Sequence, residues 1–144
     1  MSDLDFDGIS EGWKKILLCN VAPRVWEQAE VKAMWVVGSL ARGTADAHSD
    51  VDLWIAVDPD VLDAWREPDW ALFLDVAVVG RMFIPVGEAM IHSLLLDNGE
   101  YFDFCVQHTG GEVGPSAICV LGCREEAFGN RLAAAAEKGD PPFP

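Results

Sequence analysis

Two carboxylates one residue apart, Asp50 and Asp52, stand in the run Ser49-Asp50-Val51-Asp52-Leu53. On a β-strand the side chains alternate between faces, so both acids point one way while Val51 and Leu53 point the other. Carboxylates that close repel each other unless a cation lies between them. Magnesium prefers hard oxygen ligands and commonly joins one or two carboxylates to the phosphates of a substrate. The pair therefore has the chemistry of a clamp for magnesium and a triphosphate. Upstream, Gly38-Ser39 closes an apolar run and leads toward what reads as a short helix. Glycine lets a phosphate approach the backbone, Ser39 offers a hydroxyl and an N–H, and a helix N-terminus favours anions. Arg42 is within reach of the same phosphates.

These groups need elements to position them. Val31–Val37 and Val51–Val57 read as strands, the first stopping at Gly38-Ser39 and the second carrying Asp52. Before them, Ser10 to Trp13 opens a helical pattern with Trp13, Ile16, Leu17 and Val21 on one side, which Pro23 is expected to interrupt. A second short helix is expected over 23–29, with proline at its first position. The segment 61–79 reads as helical with a break or restart at Pro68, and 81–84 as a short strand. The plainest local signal comes next: 90–96 and 100–107 are β-prone runs joined by Asp97-Asn98-Gly99. Asn-Gly supplies the positive φ angles of a tight hairpin turn, so these runs are expected as adjacent antiparallel strands. A last strand is expected over 117–121, and an Ala-rich closing helix over 124–137. The pattern predicts one α+β domain with its core at about 10–138, an irregular proline-rich tail over 139–144, and a mixed sheet of about five strands with helices mainly on one side.

The 144 residues are 51% hydrophobic and include six Trp and seven Phe, enough for a packed core and too apolar for a disordered chain. No apolar run approaches the ~20 residues that span a bilayer. The acidic N-terminus lacks the basic-then-apolar order of a signal peptide, so a cytoplasmic location without a membrane partner is expected. The net charge of −14 repels nucleic acid, which binds through clustered Lys and Arg, and attracts cations. Of Cys19, Cys105, Cys119 and Cys123 only the last two are close, and no second Cys or His pair stands at ligand spacing; reduced, buried thiols are expected rather than zinc or disulfides. His48, in the loop before Asp50, is expected exposed rather than catalytic, and His92 and His108 flank the hairpin with no triad partner in view. Trp54 shares the strand face of the two acids and is expected to pack on the core or its rim, or to line the nucleotide pocket. Glu112, in a Gly-rich loop, is a candidate general base.

Gly38-Ser39, a short spacer holding Arg42-Gly43, and Ser49-Asp50-Val51-Asp52-Leu53 closely resemble the signature of the DNA polymerase β-like nucleotidyltransferase superfamily. Its small-molecule (aminoglycoside-type) and minimal nucleotidyltransferase branches are nearest in appearance. The resemblance is dense over 36–53 and continues, as an order of elements, to about residue 121. It implies Gly38 and Ser39, with Arg42 and Ser49, at the triphosphate, and Asp50 and Asp52 as ligands of two magnesium ions. A third carboxylate on a later strand completes such a site. Asp103, a lone acid between Phe102 and Phe104, is the candidate, because a carboxylate in that apolar strand needs a partner. Asp75 is the rival, in a segment that reads as helical.

The implied reaction moves a nucleoside monophosphate, from ATP or another nucleoside triphosphate, onto a hydroxyl while pyrophosphate leaves. Nothing in the sequence names the acceptor, which is a small molecule such as an aminoglycoside-like antibiotic or a protein hydroxyl. Aminoglycoside-type members carry a helical C-terminal domain that has no counterpart here. A shortened chain, a homodimer that completes the pocket, and a minimal nucleotidyltransferase paired with a separate helical protein, as in toxin–antitoxin modules, all stay open. So does an inactive relative that keeps the fold.

Overall fold

The computed structural model describes residues 4–9, 12–38 and 51–138. Helix α1 (Trp13–Trp26) buries Leu17, Leu18, Val21, Ala22 and Val25, a single apolar stripe that faces the sheet. It runs through Pro23, where the sequence predicts a break. A proline costs the helix one N–H bond and clashes with the carbonyl one turn back, but here only the final turn is affected. The Pro23 carbonyl still accepts from the Glu27 N–H at 3.1 Å. The separate helix expected over 23–29 does not form; residues 27–30 turn the chain into the first strand.

Six strands follow: β1 (Val31–Val37), β2 (Val51–Val57), β3 (Val78–Val86), β4 (Ala89–Leu96), β5 (Tyr101–His108) and β6 (Ile118–Cys123), and then helix α2 (Glu126–Lys138). They form one sheet in the order β3-β4-β5-β2-β1-β6, antiparallel at every junction except β2 against β5. The α+β class and the mixed sheet are as expected, with one strand more than the anticipated five. The short strand at 81–84 extends to 78–86 because its whole length pairs with β4.

The helix expected over 61–79 is replaced by two 3-10 turns, Pro59–Trp65 and Trp70–Leu72. Pro68 ends any helix in this segment, and the Asp69 carboxylate opens the second turn by accepting from the Ala71 N–H. Trp65, Phe73 and Leu74 bury themselves as separate anchors. Asp97-Asn98-Gly99 does join β4 to β5, as a three-residue loop. Leu96 N–H donates to the Glu100 carbonyl at 2.8 Å, and Gly99 N–H to Leu96 O at 2.9 Å. Only Gly99 takes a positive φ, +85°; Asn98 does not, so the turn is not the two-residue type that Asn-Gly suggests.

One sheet face packs Leu53, Ile55, Phe102, Phe104, Val106 and Leu94 against α1 and the two 3-10 turns. The other carries a smaller cluster in which Ala33, Trp35 and Ala56 lie under Phe128 and Leu132 of α2. Among the described residues α1 and the 3-10 turns thus cover one side, while α2 crosses to the opposite face at its β1–β6 end. Farther along that face Met82 and Tyr101 are 63% and 52% exposed. Arg124, just before α2, ties the layers together. Its guanidinium donates to Trp26 O (2.7 Å), Val31 O (2.7 Å) and Gln28 O (3.3 Å), and lies 3.7 Å over the Trp26 ring. Trp26 O and Gln28 O sit at the C-terminal end of α1 and in the turn beyond it, where helical partners run out, and Val31 O opens β1. Among the described residues no helix is long and apolar enough to cross a membrane.

Candidate functional site

Strand parity puts Leu53 and Phe104 in the core, so Asp52 and Asp103 face the opposite side. The parallel pairing of β2 with β5 then sets Asp52 directly beside Asp103, on strands about 4.8 Å apart. Both acids are half-buried. Gly38, at the end of β1, has φ +77°, the left-handed region that glycine enters without a Cβ penalty. Its N–H donates to Ala117 O at 3.2 Å, and a Cβ added there would stand 3.7 Å from Asp52 Oδ2. The ends of three strands therefore gather Gly38, Asp52 and Asp103. Asp50, Ser39, Arg42 and Ser49, with His48, lie outside the described residues. Among the described residues no three His, Cys, Asp or Glu side chains converge as a metal-binding group.

Cys105, the next residue of β5 on the Asp103 face, reports the local field. Burial first, and then the negative charges of Asp52 and Asp103, push its thiol far above the ordinary range. Both carboxylates act on one buried point, and the same potential attracts a cation. Asp75 stands elsewhere: it is exposed and ion-paired with Arg24 of α1 at 2.6 Å, in the other layer. Asp103, not Asp75, is brought beside Asp52.

A family model for the nucleotidyltransferase domain matches residues 18–96, more than half of the chain. The chain belongs to the nucleotidyltransferase domain family. The matched span contains Gly38-Ser39 and Asp50-Val51-Asp52 and ends with β4, before Asp103. No curated protein matches the chain closely enough to count as a relative.

In this nucleotidyltransferase domain the face that bears Asp52 and Asp103 also carries a cleft of about 730 Å³. Trp54 lines it and stacks on Trp35, ring centres 6.0 Å apart and 17° from parallel. Trp54 thus packs at the rim of the core, as expected, and also borders this cleft. The wall opposite is the loop after β5, which also holds Glu112. Gln107 Nε2 donates to Glu112 O at 3.3 Å, and Arg131 of α2 donates to the carbonyls of Gly111, at 2.6 Å, and Thr109. The Glu112 side chain is exposed at the cleft margin.

His108 pairs with Glu88 at 2.8 Å, at the far end of the same cleft. The Gly110 N–H donates to His108 Nδ1, so Nε2 carries the hydrogen that Glu88 accepts. Glu88 lies in the β3–β4 turn and meets His108 only through the register of three strands, a contact without a local sequence signal. His92 is fully buried on the helix-covered face among Trp70, Phe83 and Phe104. Its Nε2 binds Trp65 O at 2.8 Å and its Nδ1 has no hydrogen-bond partner, which gives it a structural place and no link to the site. All four cysteines are free thiols, but only Cys105 is buried as expected: Cys119 is half-buried, and Cys19 and Cys123 stand exposed.

Proposed function

We propose that the chain transfers a nucleoside monophosphate, AMP from ATP in the first instance, to an acceptor hydroxyl, with pyrophosphate leaving. The observation that carries this reading is the register of Asp52 with Asp103, with the side-chain-free Gly38 beside Asp52. The residues fit magnesium. They offer oxygen donors only, and two neighbouring carboxylates repel each other without a cation. Asp52 and Asp103, joined by Asp50, would hold the two ions, which neutralise triphosphate charge and lower the pKa of the acceptor hydroxyl when bound. The chain's own part is positional. Gly38, with no side chain, lets a phosphate come close, and Ser39, Arg42 and Ser49 hold the triphosphate in the orientation that in-line attack requires.

The acceptor we favour is a small hydroxyl compound of the aminoglycoside-like class, because a chain of net charge −14 attracts a polycation. ATP and magnesium supply place the activity in the cytoplasm, and antibiotic resistance would be its consequence. A second reading is a minimal nucleotidyltransferase that docks on, and nucleotidylates, a helical partner protein. It draws on the exposed Met82, Ile84, Val86 and Tyr101, which share the sheet face of Asp103. Mass spectrometry of aminoglycosides and of lysate proteins, after incubation with each nucleoside triphosphate and magnesium, decides between them. A nucleotide-sized mass gain on a small molecule supports the first reading and on a protein the second. No gain on either, with nucleotide bound, contradicts transfer.

A further inference from the structure

The 730 Å³ cleft beside the acidic pair has the size of a small-molecule site. Among the described residues its lining contains Glu88 and Glu112 and no Lys or Arg, which does not favour phosphates there; these belong at the Gly38 end. What it offers is a flat, rigid aromatic surface. Trp35 is 2% exposed beneath Phe128 of α2, their rings 5.5 Å apart. Trp54, on the next strand, lies where that cover ends: its indole is backed by Trp35 on one side and half-open to the cleft. Trp54 follows Asp52 by two residues on the same face, about 6.6–6.8 Å along the strand. That step is about what a ribose spans between its phosphate and its base. Gln107, 6% exposed, also lines the cleft and brings an amide.

We propose that this cleft is the nucleobase subsite, in which a purine stacks on Trp54 while the ribose leads back to phosphates at Gly38 and Asp52. The inference rests on the transfer reading above and adds to it the part of the donor that the carboxylates do not touch. Stacking needs only a π-face, so the subsite selects by ring area: purine nucleotides bind more tightly than pyrimidine nucleotides. Arg131 and Gln107 act on it indirectly, by holding the loop carbonyls of Thr109, Gly111 and Glu112 that fix the opposite wall.

Adenosine, which has no phosphate and needs no metal, tests the subsite apart from the reaction. In ¹⁵N-labelled protein the indole N–H of Trp54, assigned through Trp54→Phe, should shift saturably with adenosine, more weakly with uridine, and not with ribose 5-phosphate. Trp54→Leu should weaken adenosine by roughly 5- to 150-fold, the range that base stacking supplies, and leave magnesium tripolyphosphate affinity unchanged. Trp54→Phe keeps a flat ring and should stay within a few-fold of wild type. An unshifted Trp54 indole, or Trp54→Leu that binds adenosine as tightly as wild type, overturns the assignment. So does a stronger response to spermidine, which would make the cleft a site for cations. Failure to bind magnesium tripolyphosphate with adenosine binding intact counts against the transfer reading and leaves the base subsite standing.

Discussion

Replacing Arg124 by alanine should destabilise the protein by about 3 kcal/mol. The side chain donates to Trp26 O and Val31 O, both at 2.7 Å, and more distantly to Gln28 O. A hydrogen bond to a charged group contributes about 1.5–3 kcal/mol, and the partial exposure of Arg124 selects the low end for two bonds. The stacked guanidinium over Trp26, worth roughly 0.5 kcal/mol more, and the long third bond are left out of the sum. At about 2.1 cal/mol/K of unfolding entropy per residue, this corresponds to a fall in Tm of about 10 °C. Lysine can reach one carbonyl and cannot stack as a plane, so Arg124→Lys should recover less than half of the loss. Calorimetric or circular-dichroism melts of the three proteins at one pH measure this. If Arg124→Ala melts within 2 °C of wild type, or Arg124→Lys melts with it, the guanidinium does not hold the layers together as argued.

Burial lowers the pKa of His92 below its usual value of 6.5, so the folded state keeps the ring neutral where an unfolded chain protonates it. The unfolded state then binds more protons, and stability should fall as pH drops below about 6.5; His92→Leu should flatten that slope in urea titrations at pH 5 to 7, and an unchanged slope refutes the assignment. Cys105 should resist iodoacetamide at pH 8 in the native protein, because its thiol is held protonated, while the exposed Cys19 and Cys123 react; peptide mapping showing Cys105 labelled as fast as Cys19 contradicts the buried field. Gly38→Ala meets ordinary contact at 3.7 Å but must take a left-handed φ, so it should lose about 1–2 kcal/mol of stability; a melt equal to wild type would show that the turn relaxes.

How much was legible in the sequence depended on whether the signal was local. Alternation along 51–57 and 101–106 was enough to set Asp52 and Asp103 against Leu53 and Phe104, because a strand has only two faces. Their adjacency was not legible in the periodicity and was expected only from the family resemblance; it comes from the parallel pairing of strands separated by the whole β3–β4 segment. Pro23 misled because proline chemistry is local while the packing of Leu18, Ala22 and Val25 that holds the helix together is tertiary. The segment 61–79 misled for the opposite reason. Its apolar residues fit a helical period, yet Trp65, Phe73 and Leu74 each find a separate place in the core. The His108–Glu88 pair and the crossing of α2 to the second face were invisible for the same cause, since both depend on sheet order. Asn98-Gly99 announced the hairpin correctly but not its loop length, which the Leu96–Glu100 closing bond sets.

The register of Asp52 with Asp103 predicts that the two acids bind a nucleotide through a shared metal, which calorimetric titration with a non-hydrolysable ATP analogue measures. Wild type should bind the analogue with magnesium or manganese and lose that binding in excess chelator, and Asp52→Asn and Asp103→Asn should each fail to bind with metal present while keeping wild-type circular dichroism. Equal affinity with and without chelator, or an Asp103→Asn variant that binds as wild type does, would contradict the account.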